Sequence, residues 1–380
     1  MRVSPFYVMR ILERAKALEG AGRDVIHMEV GEPDFGTPSP VLSAARNALS
    51  GESLGYTPAA GLPQLRRAIA GYYDQRYGVD VDPDRVTVTP GGSGALQLAL
   101  ASIIDAGDRV LTTDPGYPCN CNLVSLIGGQ CVSVPVSADD DYQLTTPRLN
   151  AHWGEGARAV LLATPANPTG AVASRKALDG LHAYTRARGA ALIVDEIYQG
   201  LTYDVEDHTA LSCGEDDVFV VNSFSKYFGM TGWRLGWLVA PPAFTQTLQR
   251  LAQNLYLAAP ALAQYAALAA FAPETRTLLD QRRDRLRVRR DVLLAALREI
   301  GFQISSTPEG AFYIYAAVPG GAGDAALLAE RLLEHAGVAV TPGLDFGSNQ
   351  TDRMLRFAYT ADQERLLQAA QRIRDLVGSR

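Results

Sequence analysis

The sequence predicts an α/β protein built on a mostly parallel sheet, with a further α+β lobe toward its C-terminus. Three observations lead there. Short segments that are apolar throughout alternate with amphipathic ones across the middle third of the chain. Strands without polar alternation are strands covered on both faces. After about residue 300 the order changes to strands and helices mixed at short range, which suits a separate lobe. With 380 residues, 47% of them hydrophobic, the chain can bury a sizeable core or two, at roughly 100–200 residues per domain.

In order, residues 4–20 read as an amphipathic helix. Residues 86–89 form the first β-branched strand, and 94–104 carry helical periodicity. Residues 109–113 read as a strand, 119–127 as a short helix, 131–134 and 159–163 as strands, and 175–188 as a helix. Residues 191–195 and 218–223 are again strands, and 235–239 closes the series at its end. A long Ala/Leu/Arg helical region follows Pro260 to about residue 300. Residues 303–305, 311–316 and 354–358 then read as strands, and 324–336 and 362–377 as helices.

Composition excludes several classes. The net charge of −6 argues against nucleic acid or an anionic membrane as the main partner. The Arg-rich run 282–290 reads as a solvated helix face. The apolar stretch 258–273 is interrupted by Pro260 and Gln264 and is too short to span a bilayer. Residues 1–19 are charged throughout, without a secretory apolar region, so a cytoplasmic protein is expected. Four Cys do not make a disulfide scaffold, and the thiols read as free. No metal-ligand spacing is present.

The basic residues are almost all Arg; only Lys16, Lys176 and Lys226 are Lys. Arg cannot be deprotonated to act as a nucleophile, so a retained Lys is informative. Lys16 and Lys176 sit in ordinary helical patterns, and Lys226 follows a strand end. In open α/β sheets, ligands bind beyond the carboxyl ends of the strands. Five such ends here carry a polar device: Pro90-Gly91-Gly92-Ser93-Gly94, Asp114-Pro115-Gly116-Tyr117, Pro165-Ala166-Asn167-Pro168-Thr169-Gly170, Asp195-Glu196-Ile197-Tyr198 and Ser223-Phe224-Ser225-Lys226. The Gly-rich loop opening a helix suits a phosphate, and Arg234 adds a bidentate cation. Asp195 at a buried strand end calls for a cationic partner such as a pyridinium, whereas Glu196 can face outward. A Lys amine is the nucleophile for an aldehyde. Phosphate, pyridinium and aldehyde together describe pyridoxal 5′-phosphate (PLP).

In these residues the chain resembles the class I/II aminotransferases of the aspartate aminotransferase superfamily, which have the fold type I architecture. The likeness runs nearly end to end. It includes Gly31-Glu32-Pro33-Asp34-Phe35, Tyr56-Thr57-Pro58, the Asn167, Asp195 and Lys226 motifs, Gly232-Trp233-Arg234-Leu235-Gly236 and Leu355-Arg356-Phe357. The resemblance implies a large PLP-binding domain over residues 46–280 and a small domain built from 1–45 and 281–380. It implies that Lys226 forms the Schiff base and carries the proton, and that Asp195 pairs with the pyridine nitrogen. Tyr198 and Asn167 would bond the phenolic oxygen, and Tyr117 would stack on the ring. Ser93, Gly94, Ser223, Ser225 and Arg234 would form the phosphate cup. Tyr56 would reach the neighbouring subunit of a homodimer, and Gly31, Asn167 and Arg356 would meet the substrate. Ping-pong transfer between an L-amino acid and a 2-oxo acid follows.

Three other readings compete. Ser223-x-x-Lys226 also fits a serine-acylase motif, but its downstream Ser-Asp-Asn and Lys-Thr-Gly partners are absent. Other chemistry from the same covalent adduct, such as β-elimination by a C–S lyase, remains an alternative. A ligand-sensing regulator would need a DNA-binding module before residue 1. For the donor, no Arg or Lys falls between Arg250 and Arg276, and Ser93 stands after the Gly-Gly turn. With Phe6, Tyr7, Val30 and Tyr256 as expected pocket neighbours, a neutral or aromatic amino donor is expected, with glutamate/2-oxoglutarate open as a second pair. Arg10, on the N-terminal helix, is the cation whose entry would change this.

Overall fold

A computed structural model describes residues 6–51, 54–320 and 323–378. After a short first strand β1 (Ile26–His27), seven strands form the main sheet: β2 (Val86–Thr89), β3 (Arg109–Asp114), β4 (Gln130–Pro135), β5 (Ala157–Ala163), β6 (Ala191–Asp195), β7 (Val218–Ser223) and β8 (Gly236–Val239), in the order β2-β8-β7-β6-β5-β3-β4. Pairs from β7 through β4 are parallel, and β8 runs antiparallel to both β2 and β7. The strand expected at the end of the series is therefore inserted between the first strand and the sixth. Its chain direction is reversed because it returns directly from the loop after β7.

The absence of polar alternation has the predicted cause. Leu192 and Val194 face one buried cluster and Ile193 the other; Val218 and Val220 likewise oppose Phe219 and Val221. Side chains alternate faces every residue, so apolar residues are needed at every position when helices cover both sides.

A second sheet orders Thr341–Pro342, Met354–Ala358 and Tyr313–Ala317 antiparallel. The expected strand at 303–305 is only a single bridge, Gln303 to Ala317. The strand expected from 311 begins at Tyr313, because Ala311 has a left-handed φ of 59°. Its carbonyl accepts the hydroxyls of Tyr203 and Tyr359. Near the N-terminus Ile26–His27 pairs in parallel with Val338–Ala339, and Asp24 pairs with Arg365 and Arg372 of the last helix, Gln363–Gly378. The first described helix is Tyr7–Gly20; Ser4 and Pro5, included in the expected span, lie outside the described residues.

Two further expectations are corrected. Cys121 and Cys131 are joined by a disulfide, Cα atoms 5.2 Å apart, leaving Cys119 and Cys213 free. The turn at Gly128 (φ 96°) folds the helix Pro118–Ile127 back beside β4, and that return brings the two sulfurs together. The arginine run is not uniformly solvated. Arg285 and Arg287 are exposed, but Arg289 and Arg290 are buried. Arg289 forks onto Asp34, and Arg290 bonds Asp204 and the Pro308 carbonyl. Among the described residues no helix is long and apolar enough to cross a membrane, and no cluster of His, Cys, Asp and Glu is placed to hold a metal.

Candidate active site

The carboxyl ends of the main sheet face the second sheet across a cleft of about 280 Å³. Ser93, Tyr117, Asn167, Asp195, Tyr198, Ser225, Lys226, Arg234, Gly31 and Arg356 all line it. Gly94 and Ser223 stand just behind the wall. Gly94 lies in the first turn of the helix Gly91–Ile103, whose leading N–H groups lack partners within the helix. Ser223 Oγ accepts the Ser225 N–H at 3.1 Å. Tyr56 does not reach this cleft; it is 88% exposed and borders a separate groove with Ala258 and Pro260.

At one end the site is built for an anion. The helix Gly91–Ile103 starts at the cleft with its positive dipole end. A Cβ at Gly91, whose φ is 75°, would sit 2.7 Å from Arg234 Nη2, so the guanidinium packs directly on that turn. Glycine at 236 lets β8 pass equally close; a Cβ there would lie 2.6 Å from the Gly91 backbone.

Deeper in, Asp195 ends β6 and is buried, with the Ile197 N–H donating to its Oδ1 at 3.1 Å. Burial pushes its carboxyl up to about 7, against the Ile197 N–H and the charge of Lys226, which act the other way. Glu196 does not face outward as expected. It is fully buried on the opposite side, where it accepts from Thr209 Oγ1 and the Ala210 N–H, and burial raises it to about 8. Adjacent strand residues point to opposite faces, and here both faces are covered.

Lys226 Nζ donates to the Gly31 carbonyl at 2.7 Å. Burial, helped by the charges of Arg356 and Arg234, lowers its ammonium to about 8, so about a tenth of it is neutral at pH 7. Tyr198 OH meets Tyr313 OH at 2.9 Å, and burial holds the Tyr117 and Tyr198 phenols well above their ordinary range.

Arg356 rises from the second sheet between two rings, 4.2 Å from the Tyr313 centroid and 4.7 Å from that of Phe346. In its plane, Nη1 donates to Asn167 Oδ1 at 2.8 Å, while Nη2 donates to the Glu29 carbonyl. Its Nε is buried without a hydrogen-bond partner among the described residues. The apolar wall consists of Phe6, Val8, Met9, Leu12, Val30, Leu96 and Ile197. Of the expected neighbours Phe6 and Val30 are there, but Tyr7 and Tyr256 are not. The Tyr7 N–H is turned to Asp345 Oδ1, and Tyr256 packs against the buried cluster that includes Leu248 and Phe219. Arg10 is exposed and lies over the Tyr7 ring. Sequence reasoning missed Tyr313, whose strand looked like plain core, and the carbonyl of Glu29. The apolar neighbours Val8, Met9 and Leu12 were legible only as one face of a helix.

A buried carboxyl of raised pKa, a lysine amine of lowered pKa, an anion-binding helix start and an incompletely bonded guanidinium fit PLP together with a carboxylate substrate. The comparisons with known proteins agree. Residues 23–373 match the family model for aminotransferase class I and II. The chain is 38% identical over 372 residues to a valine–pyruvate aminotransferase of Mycobacterium tuberculosis, covering 98% of this chain and 96% of that protein. Among solved structures, an aminotransferase from Mycobacterium tuberculosis superposes with a TM-score of 0.96 at 38% identity, covering 100% and 98% of the two chains. An aspartate aminotransferase from Thermus thermophilus with maleate gives 0.94 at 32% identity, covering 98% and 97%. Because the matched span contains both sheets and every strand end that meets the cleft, the chain belongs to the class I and II aminotransferases, PLP-dependent enzymes of fold type I that transfer amino groups.

Proposed function

We propose that this aminotransferase takes a neutral or aromatic L-amino acid as donor and a 2-oxo acid as acceptor, in a ping-pong cycle. One observation carries the reading. Among the described residues the cleft holds three cationic side chains, Lys226, Arg234 and Arg356, and each has a task. Arg234 serves the phosphate, Lys226 the aldehyde and Arg356 the substrate α-carboxylate. None is left for a distal carboxylate, whose burial unpaired costs several kcal/mol. The valine–pyruvate relative supports a neutral donor; the aspartate aminotransferase relative is the opposing precedent.

When bound, PLP supplies an aldehyde that captures the amino group and a ring that accepts the electrons released at Cα. The residues of this chain do the rest. The Asp195 carboxylate would hold a proton on the ring nitrogen, and a pyridinium there would relieve the desolvation that raises Asp195. Tyr198 and Asn167 donate to the ring oxygen. Lys226 Nζ, in the cleft with its pKa lowered, would be the base that takes the proton from substrate Cα and holds it for return. Arg356 orients the carboxylate while Phe6, Val30 and Ile197 exclude water. Ser93, Gly94, Ser223 and Ser225 complete the phosphate cup, and Tyr117 flanks the ring.

The reading includes division into a large domain, 46–280, and a small one, 1–45 with 281–380. It also includes a homodimer in which exposed Tyr56 reaches the neighbouring cleft, and residence in the cytoplasm. The test is kcat/KM for alanine, valine, leucine and phenylalanine against aspartate, with pyruvate as acceptor. A lead for the neutral donors is expected. A lead for aspartate refutes the donor reading, and release of thiol, pyruvate and ammonia from an S-substituted cysteine, with no transfer from the neutral donors, refutes transamination in favour of β-elimination.

A further inference from the structure

We infer that Tyr313 is a positioning residue that sets the Tyr198 phenol and the Arg356 guanidinium with one side chain, and so couples the cofactor end of the cleft to the substrate end. The inference rests on the proposed roles of those two residues. Tyr313 begins the strand Tyr313–Ala317 and pairs with Ala358 of the neighbouring strand, whereas Arg356 pairs with Tyr315. Tyr313 and Arg356 therefore share one sheet face as diagonal neighbours. The Arg356 guanidinium carbon lies over the Tyr313 ring, 4.2 Å from its centroid, so the ring bears on the orientation of the N–H groups. Its hydroxyl is 2.9 Å from Tyr198 OH and is buried.

The same hydroxyl is packed onto Gly31, where any Cβ would collide with it. The Gly31 carbonyl holds Lys226 Nζ at 2.7 Å. One phenol thus touches the backbone that holds the lysine, the phenol beside the ring oxygen and the cation for the carboxylate. Tyr198 has one proton to give. When it donates toward the ring oxygen, its own oxygen accepts from Tyr313, and a donor polarised in this way is stronger.

Two substitutions separate the parts. Tyr313→Phe removes the hydroxyl and leaves the ring beside Arg356; Tyr313→Leu removes both. In Tyr313→Phe the pH at which the visible absorbance of the PLP-loaded protein titrates should rise by about half a unit to one unit, from loss of one hydrogen bond in a buried network. PLP should bind the stripped protein about fivefold more weakly, while KM for amino and oxo acids stays at the wild-type value. Tyr313→Leu should add about a tenfold rise in both KM values, from loss of the cation–π contact. Unchanged titration and PLP affinity in Tyr313→Phe overturn the link to Tyr198, and unchanged KM in Tyr313→Leu overturns the link to Arg356. If wild type binds no PLP, the proposed function fails first and this inference with it; if it binds PLP and both variants match it, only the inference fails.

Discussion

Replacing Asp195 by Asn should move stability and turnover in opposite directions, by amounts that the burial of this carboxyl sets. Asp195 titrates near 7 in the folded protein against 3.8 ordinarily, chiefly through burial, with the Ile197 N–H and the charge of Lys226 acting the other way. A folded pKa above the unfolded one means that the protonated form is favoured by folding. The associated stability is fully present below about 3.8 and is lost as pH rises to about 7. The shift of about three units corresponds to about 4 kcal/mol. Asn never ionises and escapes that loss, but burying its amide with incomplete bonding costs about 1–3 kcal/mol.

The cofactor-free variant should therefore be more stable than wild type at pH 8 by about 1–3 kcal/mol, or a few degrees in Tm. At pH 4 the order should reverse. Glu196 is raised to about 8 and titrates in the same range, but it is common to both proteins and cancels in the difference. With PLP bound, removing a preorganised charge should lower kcat by about 10²–10³-fold. The assays are thermal unfolding of the stripped proteins from pH 4 to 9 and steady-state kinetics of the loaded ones. A Tm difference that does not change with pH, or a kcat within about threefold of wild type, refutes the reasoning.

Three further outcomes are expected. Borohydride reduction of the loaded protein should attach the cofactor to Lys226, and Lys226→Ala should lose both the attachment and at least about 10³-fold in turnover; a label on Lys16 or Lys176 sinks the assignment. Arg356→Lys keeps the charge but loses the planar fork that bonds Asn167 and the Glu29 carbonyl, so KM should rise about tenfold for amino and oxo acids alike. PLP affinity should stay the same, and an unaltered KM contradicts the role. Gly31→Ala places a methyl group on the Tyr313 hydroxyl and should destabilise the protein by about 1–3 kcal/mol while weakening PLP binding; a normal melting curve with normal PLP binding argues against the tight approach.

The sequence by itself determined the main sheet, because a strand covered on both faces leaves a local mark: Val218–Ser223 is buried at every position. It also grouped most of the residues that line the cleft. Strand ends in a parallel sheet aim at one edge, so Asn167, Asp195, Tyr198 and Lys226 could be grouped without knowing any distance. Periodicity reports only how each element is buried, and what lay beyond it depended on which elements meet. Insertion of β8 between β2 and β7, the inward turn of Glu196, the Cys121–Cys131 pairing and the burial of Arg289 and Arg290 each require a partner far along the chain or on another layer. Tyr313 shows the limit most clearly. In the sequence it is one more aromatic in an apolar strand, and only the docking of the second sheet onto the ends of the first puts its ring on Arg356 and its hydroxyl on Tyr198. Such contacts are decided by non-local packing, to which the pattern of any single segment is blind.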